Sequence, residues 1–455
     1  METRDNEFRR RVDGKGIIIA LLLLLVTAKV FSQITYTPYA ITTIAGSPQV
    51  SGSKDGTNSG ALFKKPEGIA VDPSGNLYVV DTYNQVIRNV APVGSNWVVT
   101  TIAGQVPVHG GTGGNADGTN GEAQFKFPVG LAIDAATNIY VADGGNSEVR
   151  LMSPRGTNWV VTTIAIGTNA QFSAGAPSGI AVDNATNIYV VDSFYSTIRK
   201  IALAGTNGTI STIAGSAGNS GSADGTNGDA RFYDPSAIVV DAATNLYVTD
   251  FGNGSIRKIT PAGSNWIVTT IAGIGAAGQD VDGTNQTARF SYPYGLAIDA
   301  ATNLYVGDNA ATIRRIKPVG TNWVTTTLAG LDNNAGTNDG TGNVARFCNQ
   351  GSELQGLACD QQGNVYITDA GNFTIRKGNP ESVPAIIGAN PGFANGQFNF
   401  SLTAPAGQMV VLEASADLQS WQPVWTNMFP SNGVLLYKDA QSAALLNRYY
   451  RALTP

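Results

Sequence analysis

Histidine and cysteine are nearly absent from this chain, which has one histidine, His109, and two cysteines among its 455 residues. A protein zinc site takes about four nitrogen or sulfur ligands, and a serine–histidine–aspartate triad needs a histidine beside its nucleophile. His109 lies in a glycine-rich stretch that is typical of a solvated loop. The sequence therefore predicts no zinc centre, no such triad and no recognisable set of catalytic residues.

Charged residues are also scarce, at 13% of the chain with a net charge of −5. A protein that binds nucleic acid needs a basic surface to neutralise phosphates, and this composition does not supply one. We therefore expect no nucleic-acid partner. With 54 glycines, the composition favours many short strands joined by turns over long amphipathic helices.

Long apolar runs are missing except for Gly16–Val26, which follows a basic stretch from Arg9 to Lys15. A run of about ten apolar residues is too short to cross a membrane comfortably, which takes about 20, but it suits a secretory signal. We predict a signal peptide over residues 1–32 with cleavage before Gln33. The protein would then be secreted or extracytoplasmic, in the periplasm or cell envelope, without a membrane span. An uncleaved N-terminal anchor is the alternative.

A repeated unit fills most of the chain. Its core reads G-[IL]-A-[VI]-D, a short turn, then N-[LIV]-Y-V-x-D, and six copies occupy 68–81, 130–143, 179–192, 237–250, 295–308 and 356–369. Each copy continues into an Ile-Arg or Val-Arg strand and most into a further strand that ends in T-[IL]-A-G. The alternation of apolar and small residues, with breaks at Gly, Asn and Pro, predicts four short antiparallel strands per copy.

Six four-stranded units without a helical period predict an all-β, six-bladed β-propeller over residues 33–377. The sixth copy has no T-I-A-G strand after Arg376, yet an isolated T-I-A-G stands at 43–46, before the first copy. We therefore expect residues 41–46 to form the outer strand of the last blade. This strand would join the two ends of the ring and cover an edge that is otherwise free to pair with other chains.

The unit resembles the NHL repeat, whose Pro, Gly-Ile-Ala-Val-Asp, Asn-Leu-Tyr-Val-Ala-Asp and Asn…Ile-Arg pattern is matched over roughly residues 41–377. The A-[RQ]-F segment between copies is typical of a bacterial and plant form of this repeat. Copy three departs most, because it lacks the Asp-Gly-Thr loop and has Tyr195 in place of the usual Asn. The resemblance implies a six-bladed propeller, but this fold carries binding proteins and enzymes alike.

A second, smaller unit follows the repeats. Residues 378–396 are predicted to be a linker, and residues 397–455 resemble a small β-sandwich found at the C-termini of exported bacterial proteins. The resemblance rests on Ser415, Asp417, Leu418, Trp421 and the segment from Arg448 to Arg451. We expect Trp421 and Tyr449 to be core residues of this sandwich. The alternative is that the unit attaches the protein to a surface or contacts carbohydrate.

Aspartates recur at fixed places in the repeat. One group ends the second strand of each copy: Asp81, Asp143, Asp192, Asp250, Asp308 and Asp369. Another group precedes Gly-Thr in the loops between copies: Asp55, Asp117, Asp224, Asp282 and Asp339. Such a set of oxygens could bind calcium. We favour a structural role, in which each second-strand aspartate stabilises its turn and faces the arginine about seven residues later.

A ligand site should lie where the copies differ. The residue before the first-strand glycine differs in most copies, and we expect this ring to border the central opening: Glu67, Val129, Ser178, Ser236, Tyr294 and Gln355. We predict that any ligand-binding site lies there, although these side chains could equally be ordinary loop residues. Glu67 is the only acid of the ring, which argues against a calcium-dependent enzyme.

The two cysteines, Cys348 and Cys359, leave two alternatives. Export permits a disulfide between them. However, Cys359 takes the place of Val71 and Ile133 in other copies, so a buried free thiol is an equal expectation.

Together these features predict an extracytoplasmic binding or interaction scaffold with a protein or glycan ligand. A calcium-dependent lactonase-like or lyase-like enzyme is the alternative, and calcium is the only cofactor we consider.

Overall fold

The computed structural model describes residues 39–453, except for 108–110, 112, 167–176, 205–206, 275–279, 349–353, 381–384, 395–396, 404–408, 416–421, 431–433 and 440–448. The predicted signal peptide, His109, Asp417, Leu418, Trp421 and Arg448 lie outside the described residues. The chain divides into two compact units, of which one spans Pro38–Pro380 and the other contains Glu381–Pro455. In the described part of the chain, no helix is long and apolar enough to cross a membrane.

The larger unit consists of six antiparallel sheets, so the predicted all-β, six-bladed propeller is confirmed. The first, innermost strands are Pro66–Val71, Pro128–Ile133, Pro177–Val182, Pro235–Val240, Pro293–Ile298 and Leu354–Cys359. The second strands are Leu77–Asp81, Ile139–Asp143, Ile188–Asp192, Leu246–Asp250, Leu304–Asp308 and Val365–Asp369. The third strands are Val86–Val93, Glu148–Arg155, Thr197–Ala204, Ser255–Ala262, Thr312–Val319 and Thr374–Pro380.

The fourth strands lie outermost and are Asn96–Gly104, Asn158–Thr163, Asn207–Ala214, Asn265–Ala272, Asn322–Gly330 and, in blade six, Tyr39–Ala45. A two-residue strand from the preceding loop adds to each: Gly56–Thr57, Gly118–Thr119, Ala165–Ile166, Gly225–Thr226, Gly283–Thr284 and Gly340–Thr341. Five of these pair antiparallel, whereas Ala165–Ile166 in blade three pairs parallel. Single turns of 3₁₀ helix follow the two-residue strands at Asn58–Gly60, Asn120–Glu122, Asn227–Asp229, Asn285–Thr287 and Gly342–Val344, and join second to third strands at Thr82–Asn84, Gly144–Asn146 and Phe251–Asn253.

Glycine in the first strand lets neighbouring blades approach closely. A Cβ atom on Gly68 would lie 2.6 Å from the carbonyl oxygen of Val129 in the next blade, which is closer than real Cβ contacts allow. The same approach recurs at Gly130, Gly179, Gly295 and Gly356. Gly356 of blade six meets the carbonyl of Glu67 in blade one, so these approaches recur around the ring at every blade except the fourth, which has Ala237 in place of the glycine.

The hydrophobic core lies between adjacent blades, because a single four-stranded sheet cannot bury both of its faces. In the cluster between blades one and two, Tyr78 and Val80 from one sheet pack with Phe125 and Leu131 from the next. The outer-strand Trp159 meets Tyr78 edge-to-face at a ring distance of 5.7 Å. Three further Trp–Tyr pairs repeat this contact around the ring.

The N-terminal strand closes the ring, as the sequence predicts. Tyr39–Ala45 pairs antiparallel with Thr374–Pro380 as the outer strand of blade six. Thr43 donates from its main-chain N–H and its hydroxyl to Asp339, at 2.9 Å each. Thr101 makes the same pair of contacts with Asp55 in blade one, so the T-I-A-G segment has the same role in both blades.

The smaller unit has two three-stranded sheets. One contains Ala385–Ala394, Gln397–Thr403 and Val434–Asp439, and the other contains Met409–Ser415, Gln422–Met428 and Tyr449–Leu453. Phe400 and Leu402 of the first sheet share a core with Val410 and Leu412 of the second, which is the arrangement of a small β-sandwich.

The structure differs from the predicted linker at 378–396. The third strand of blade six runs to Pro380, and residues 385–394 form a strand that pairs with Gln397–Thr403. The Asn-Pro-Gly sequence at 390–392, which suggests a loop, lies where the pairing register shifts between Ile387 and Gly392. A β-bulge can absorb these residues without ending the strand.

The closing strand provides the first testable prediction. Ile41→Asp places a charge at a side chain that is 2% exposed, and should open the ring as removal of residues 33–46 would, giving a protease-sensitive or aggregating protein. Thr42→Asp changes the exposed neighbour and is the matched control. Limited proteolysis and the thermal midpoint measure the effect. An Ile41→Asp protein that melts like wild type would contradict closure by this strand.

Candidate functional site

One end of the propeller carries the residues that differ between blades. We call it the upper face: the end where each first strand begins and each second strand ends. In blade one, Pro66 at the start of the first strand pairs with Asp81 at the end of the second. The 3₁₀ turn Thr82–Asn84 follows, and the N–H of Tyr83 donates to the carbonyl of Lys64 at 3.1 Å, which fixes both segments side by side.

A buried arginine of the third strand fastens this end of each blade. In blade one, Arg88 donates from Nη1 to Asp81 at 2.7 Å and from Nη2 to Asp55 at 2.8 Å. It also donates to the carbonyls of Leu62 and Lys54, and its guanidinium lies 5.0 Å from the ring centre of Phe63. Arg88 therefore joins the second strand to the loop that enters the blade.

The same cluster recurs around Arg150, Arg257 and Arg376. Each of these arginines is buried, and so is its second-strand aspartate. Blade three is looser, because Arg199 is 20% exposed and lies 3.4 Å from Asp192. The sequence spacing predicts the Asp–Arg contact, whereas full burial is visible only in the structure.

Burial and hydrogen bonding act in opposite directions on the pKa of a second-strand aspartate. Burial raises the pKa of Asp81 to about 6, while Arg88, Asn84 and the main-chain N–H of Lys64 act to lower it. Asn84 donates to Asp81 at 2.8 Å and to the carbonyl of Gly52 at 2.6 Å, so it ties the carboxylate to the loop as well. Through these contacts the second-strand aspartate has a structural role, because it joins the strand to its turn and to the loop before the blade.

Removal of one arginine should therefore be costly. Arg257→Met leaves the Asp250 carboxylate buried without its ion-pair partner, and we expect a loss of about 3–5 kcal/mol. Adding Asp250→Asn removes that stranded charge and should recover part of the loss. Chemical denaturation of the three variants and wild type measures both effects. A double variant as unstable as the sum of the two single variants would contradict the pairing.

The six predicted ring residues begin the first strands but are only partly accessible. Glu67, Ser236 and Gln355 are buried, and Val129, Ser178 and Tyr294 are half-buried. Ser178 Oγ donates to the carbonyl of Ser236 at 3.1 Å, and Ser236 Oγ lies 3.1 Å from the carbonyl of Tyr294. The two serines thus join neighbouring blades.

Glu67 contacts Lys65 at 2.8 Å, so its carboxylate is engaged by a cation of its own segment. Among the described residues, no group of three His, Cys, Asp or Glu side chains is arranged to hold a metal ion. Calcium binding at the central opening stays a prediction. Cys348 is buried and Cys359 is half-buried, and no disulfide joins them.

Besides Tyr294 of the predicted ring and Tyr195, further aromatic side chains lie on the upper face. They lie at three seams, where the turn after one blade's second strand meets the segment before the next blade's first strand. Tyr83 and Phe127 meet at the seam of blades one and two, with ring centres 5.9 Å apart. Phe251 contacts Tyr292 and Tyr294 at the seam of blades four and five.

The seam of blades three and four has the most exposed aromatic group. Phe194, Tyr195 and Tyr233 are 68%, 39% and 53% exposed. Phe194 and Tyr195 contact each other edge-to-face at 5.3 Å, and the N–H of Asp234, next to Tyr233, lies 3.4 Å from Ser196 Oγ. The sequence signal was the substitution of Tyr195 for the Asn that anchors the second-strand aspartate elsewhere.

In four blades the segment before the first strand has a left-handed residue directly ahead of its proline. Lys65, Phe127, Asp234 and Tyr292 all have φ between 44° and 54°. Since four blades share this strained conformation, it is a structural feature of the repeat and does not mark a site in one blade. What differs is the side chain that it presents, which is basic, acidic or aromatic according to the blade.

Comparisons with known proteins agree with this architecture. The model of the NHL repeat matches residues 63–88. The chain is 35% identical over 99 residues to protein SUPPRESSOR OF QUENCHING 1 of Arabidopsis thaliana and 35% identical over 103 residues to NHL repeat-containing protein 2 of Homo sapiens. These matches cover 22% of this chain but only 9% and 13% of the two relatives.

A solved structure from Bacteroides thetaiotaomicron, described as an auxiliary nutrient binding protein, superposes with a TM-score of 0.56. It is 17% identical, and the match covers 75% of this chain and 77% of the other. At that identity the likeness shows the fold alone. The chain thus contains a segment that matches the NHL repeat, and its larger unit folds as a six-bladed β-propeller.

Proposed function

We propose that this chain is an extracytoplasmic binding protein that takes a protein or glycan ligand on the upper face of its propeller. The observation that carries the proposal is the exposed aromatic pair Phe194 and Tyr195 at the seam of blades three and four, with Tyr233 exposed on the segment that enters blade four. Large apolar side chains gathered on a surface are characteristic of interaction sites. Tyr and Phe bury much area at little entropic cost when a ligand covers them.

The departure of blade three from the repeat supports a binding role. In blades one, two, four and six the third residue of the turn is an Asn that donates to the buried aspartate, as Asn253 donates to Asp250 at 2.8 Å. At this place blade three has Tyr195, which is 39% exposed and offers only its main-chain N–H to Asp192, at 3.1 Å. A structural contact has been replaced by accessible aromatic surface.

Export and fold are consistent with this role. The N-terminal sequence predicts a secretory signal, which would place the propeller outside the cytoplasm. The Bacteroides neighbour is described as a nutrient-binding protein, and supports the suitability of the fold for binding without indicating this chain's ligand. The low charge of the chain favours a ligand held by aromatic contacts and hydrogen bonds over a polyanion.

The test is a glycan and peptide array probed with wild type and two variants. Phe194→Ala removes the most exposed aromatic side chain among the described residues, and Tyr195→Asn introduces the residue that four other blades have at this place. We expect each substitution to lower the affinity for the best array ligand by about tenfold or more, which is the effect of removing a side chain at the centre of an interface. Tyr195→Asn should keep or raise the thermal midpoint, so a loss of binding would not reflect unfolding.

Val319→Ala is the control, because Val319 is 51% exposed at the far end of a third strand. If both aromatic variants bind the array ligand as tightly as wild type, or if wild type binds nothing on the array, a site at this seam is contradicted.

A further inference from the structure

Blade five departs from the other blades at its buried second-strand aspartate, Asp308. Arg314 is the sixth residue after Asp308, whereas Arg257 in blade four is the seventh after Asp250. The shorter turn has no counterpart of Asn253, the amide that donates to Asp250. Asp308 therefore lacks one of the donors that hold its equivalents as charged carboxylates.

A second carboxylate, Asp280 of the preceding loop, takes over the remaining partners. The N–H that would reach Asp308 by analogy with the other blades belongs to Ser291, and it donates to Asp280 Oδ1 at 3.0 Å. Arg314 Nη1 lies 3.3 Å from Asp280 but 3.9 Å from Asp308. The corresponding distance from Arg257 to its aspartate is 2.6 Å.

The hydroxyl of Thr312 lies between the two acids. Its Oγ1 is 2.6 Å from Asp280 Oδ2 and 3.0 Å from Asp308 Oδ1. A hydroxyl has one proton to donate, so it can satisfy only one of two carboxylates. The other contact is a hydrogen bond only if a carboxyl group carries a proton. Asp308 Oδ2 is also buried and finds no hydrogen-bond donor among the described residues.

The surrounding charges do not compensate for two ionised acids. Arg314 on the third strand is the cation of the cluster, and it is shared with Asp282, which lies 2.7 Å from Nη2. Asp332, in the loop after the fourth strand, accepts the N–H of Asp280 and adds a further negative charge. Four carboxyl groups thus surround one guanidinium.

We propose that Asp280 and Asp308 hold one proton between them, and that this proton latches the loop at Asp280 onto the turn between the second and third strands of blade five. Loss of the proton leaves two adjacent buried carboxylates, which repel each other and loosen the latch. The latch holds Ser291, the neighbour of Tyr292, so it lies at the upper face. The proposal does not depend on the proposed ligand site.

The direction of the pH effect follows from the burial of Asp308. Burial and the neighbouring Asp280 raise the pKa of Asp308 well above its usual value, and outweigh Arg314 and Thr312. Stability that depends on the proton is therefore full at acid pH, and is lost as the pH rises through the raised pKa of Asp308 in the folded protein.

The experiment compares wild type with Asp308→Asn by denaturation at a series of pH values. The amide keeps the shape of the neutral acid and does not titrate. Between the ordinary pKa of aspartate and the raised pKa of Asp308 in the folded protein, the folded-to-unfolded ratio of wild type should fall about tenfold per pH unit relative to Asp308→Asn. The aspartates of the other blades are the same in both proteins, so their contributions to the pH dependence of stability cancel in this comparison.

Asp250→Asn is the matched control at the equivalent position of blade four, where the aspartate is the charged partner of Arg257. It should destabilise the protein even at neutral pH, where Asp308→Asn stabilises it. Asp280→Asn neutralises the other member of the pair, and should also remove the relative pH dependence if Asp308→Asn folds poorly.

Three outcomes would overturn the proposal. In the first, Asp308→Asn lowers the denaturation midpoint as much as Asp250→Asn does. In the second, wild type and Asp308→Asn differ by the same amount at every pH. In the third, added calcium raises the midpoint of wild type but not of Asp308→Asn, because the pair would then hold a metal ion in place of the proton.

Discussion

The rest of the propeller depends on the arginine of the third strand, which is buried in every blade except the third. One guanidinium binds the aspartate that ends the second strand, the aspartate of the preceding loop and two loop carbonyls, while its face covers a phenylalanine. Its planar fork can satisfy acceptors in two directions at once, which a lysine could not do. The contact fixes the loop between blades against the sheet, and so fixes the upper-face turns that stand beside it.

The position of a residue relative to this arginine cluster explains whether it is the same or different from blade to blade. Residues inside the cluster recur because a buried charge must keep its partner. Side chains just outside it, such as Tyr83, Phe194 and Tyr233, are free to differ because the turn below them is already fixed. Blade three gives up the anchoring Asn in favour of Tyr195, and blade five exchanges the same Asn for the carboxyl group of Asp280. Both departures lie at the upper face.

Much of the fold could be predicted because the same sequence pattern occurs in six copies, so its shared positions can be compared. The isolated T-I-A-G at 43–46 predicted the closing strand, and the Asp–Arg spacing predicted the contact of Asp81 with Arg88. The accessibility of Glu67 could not be predicted, since it depends on how closely the first-strand glycines bring the blades together. Asp280 lies in no repeated motif, so its place beside Asp308 required the structure, although the shorter spacing to Arg314 was a visible signal.

The central claim is that a rigid, shared framework presents a variable upper face to a ligand. Hydrogen exchange of the protein with and without its best array ligand tests this most directly, because it reports protection along the whole chain. The account predicts added protection in the turn after Asp192 and in the segment from Tyr233 to Pro235, with little change in the outer strands. Protection confined to the outer strands or to the C-terminal sandwich would contradict it.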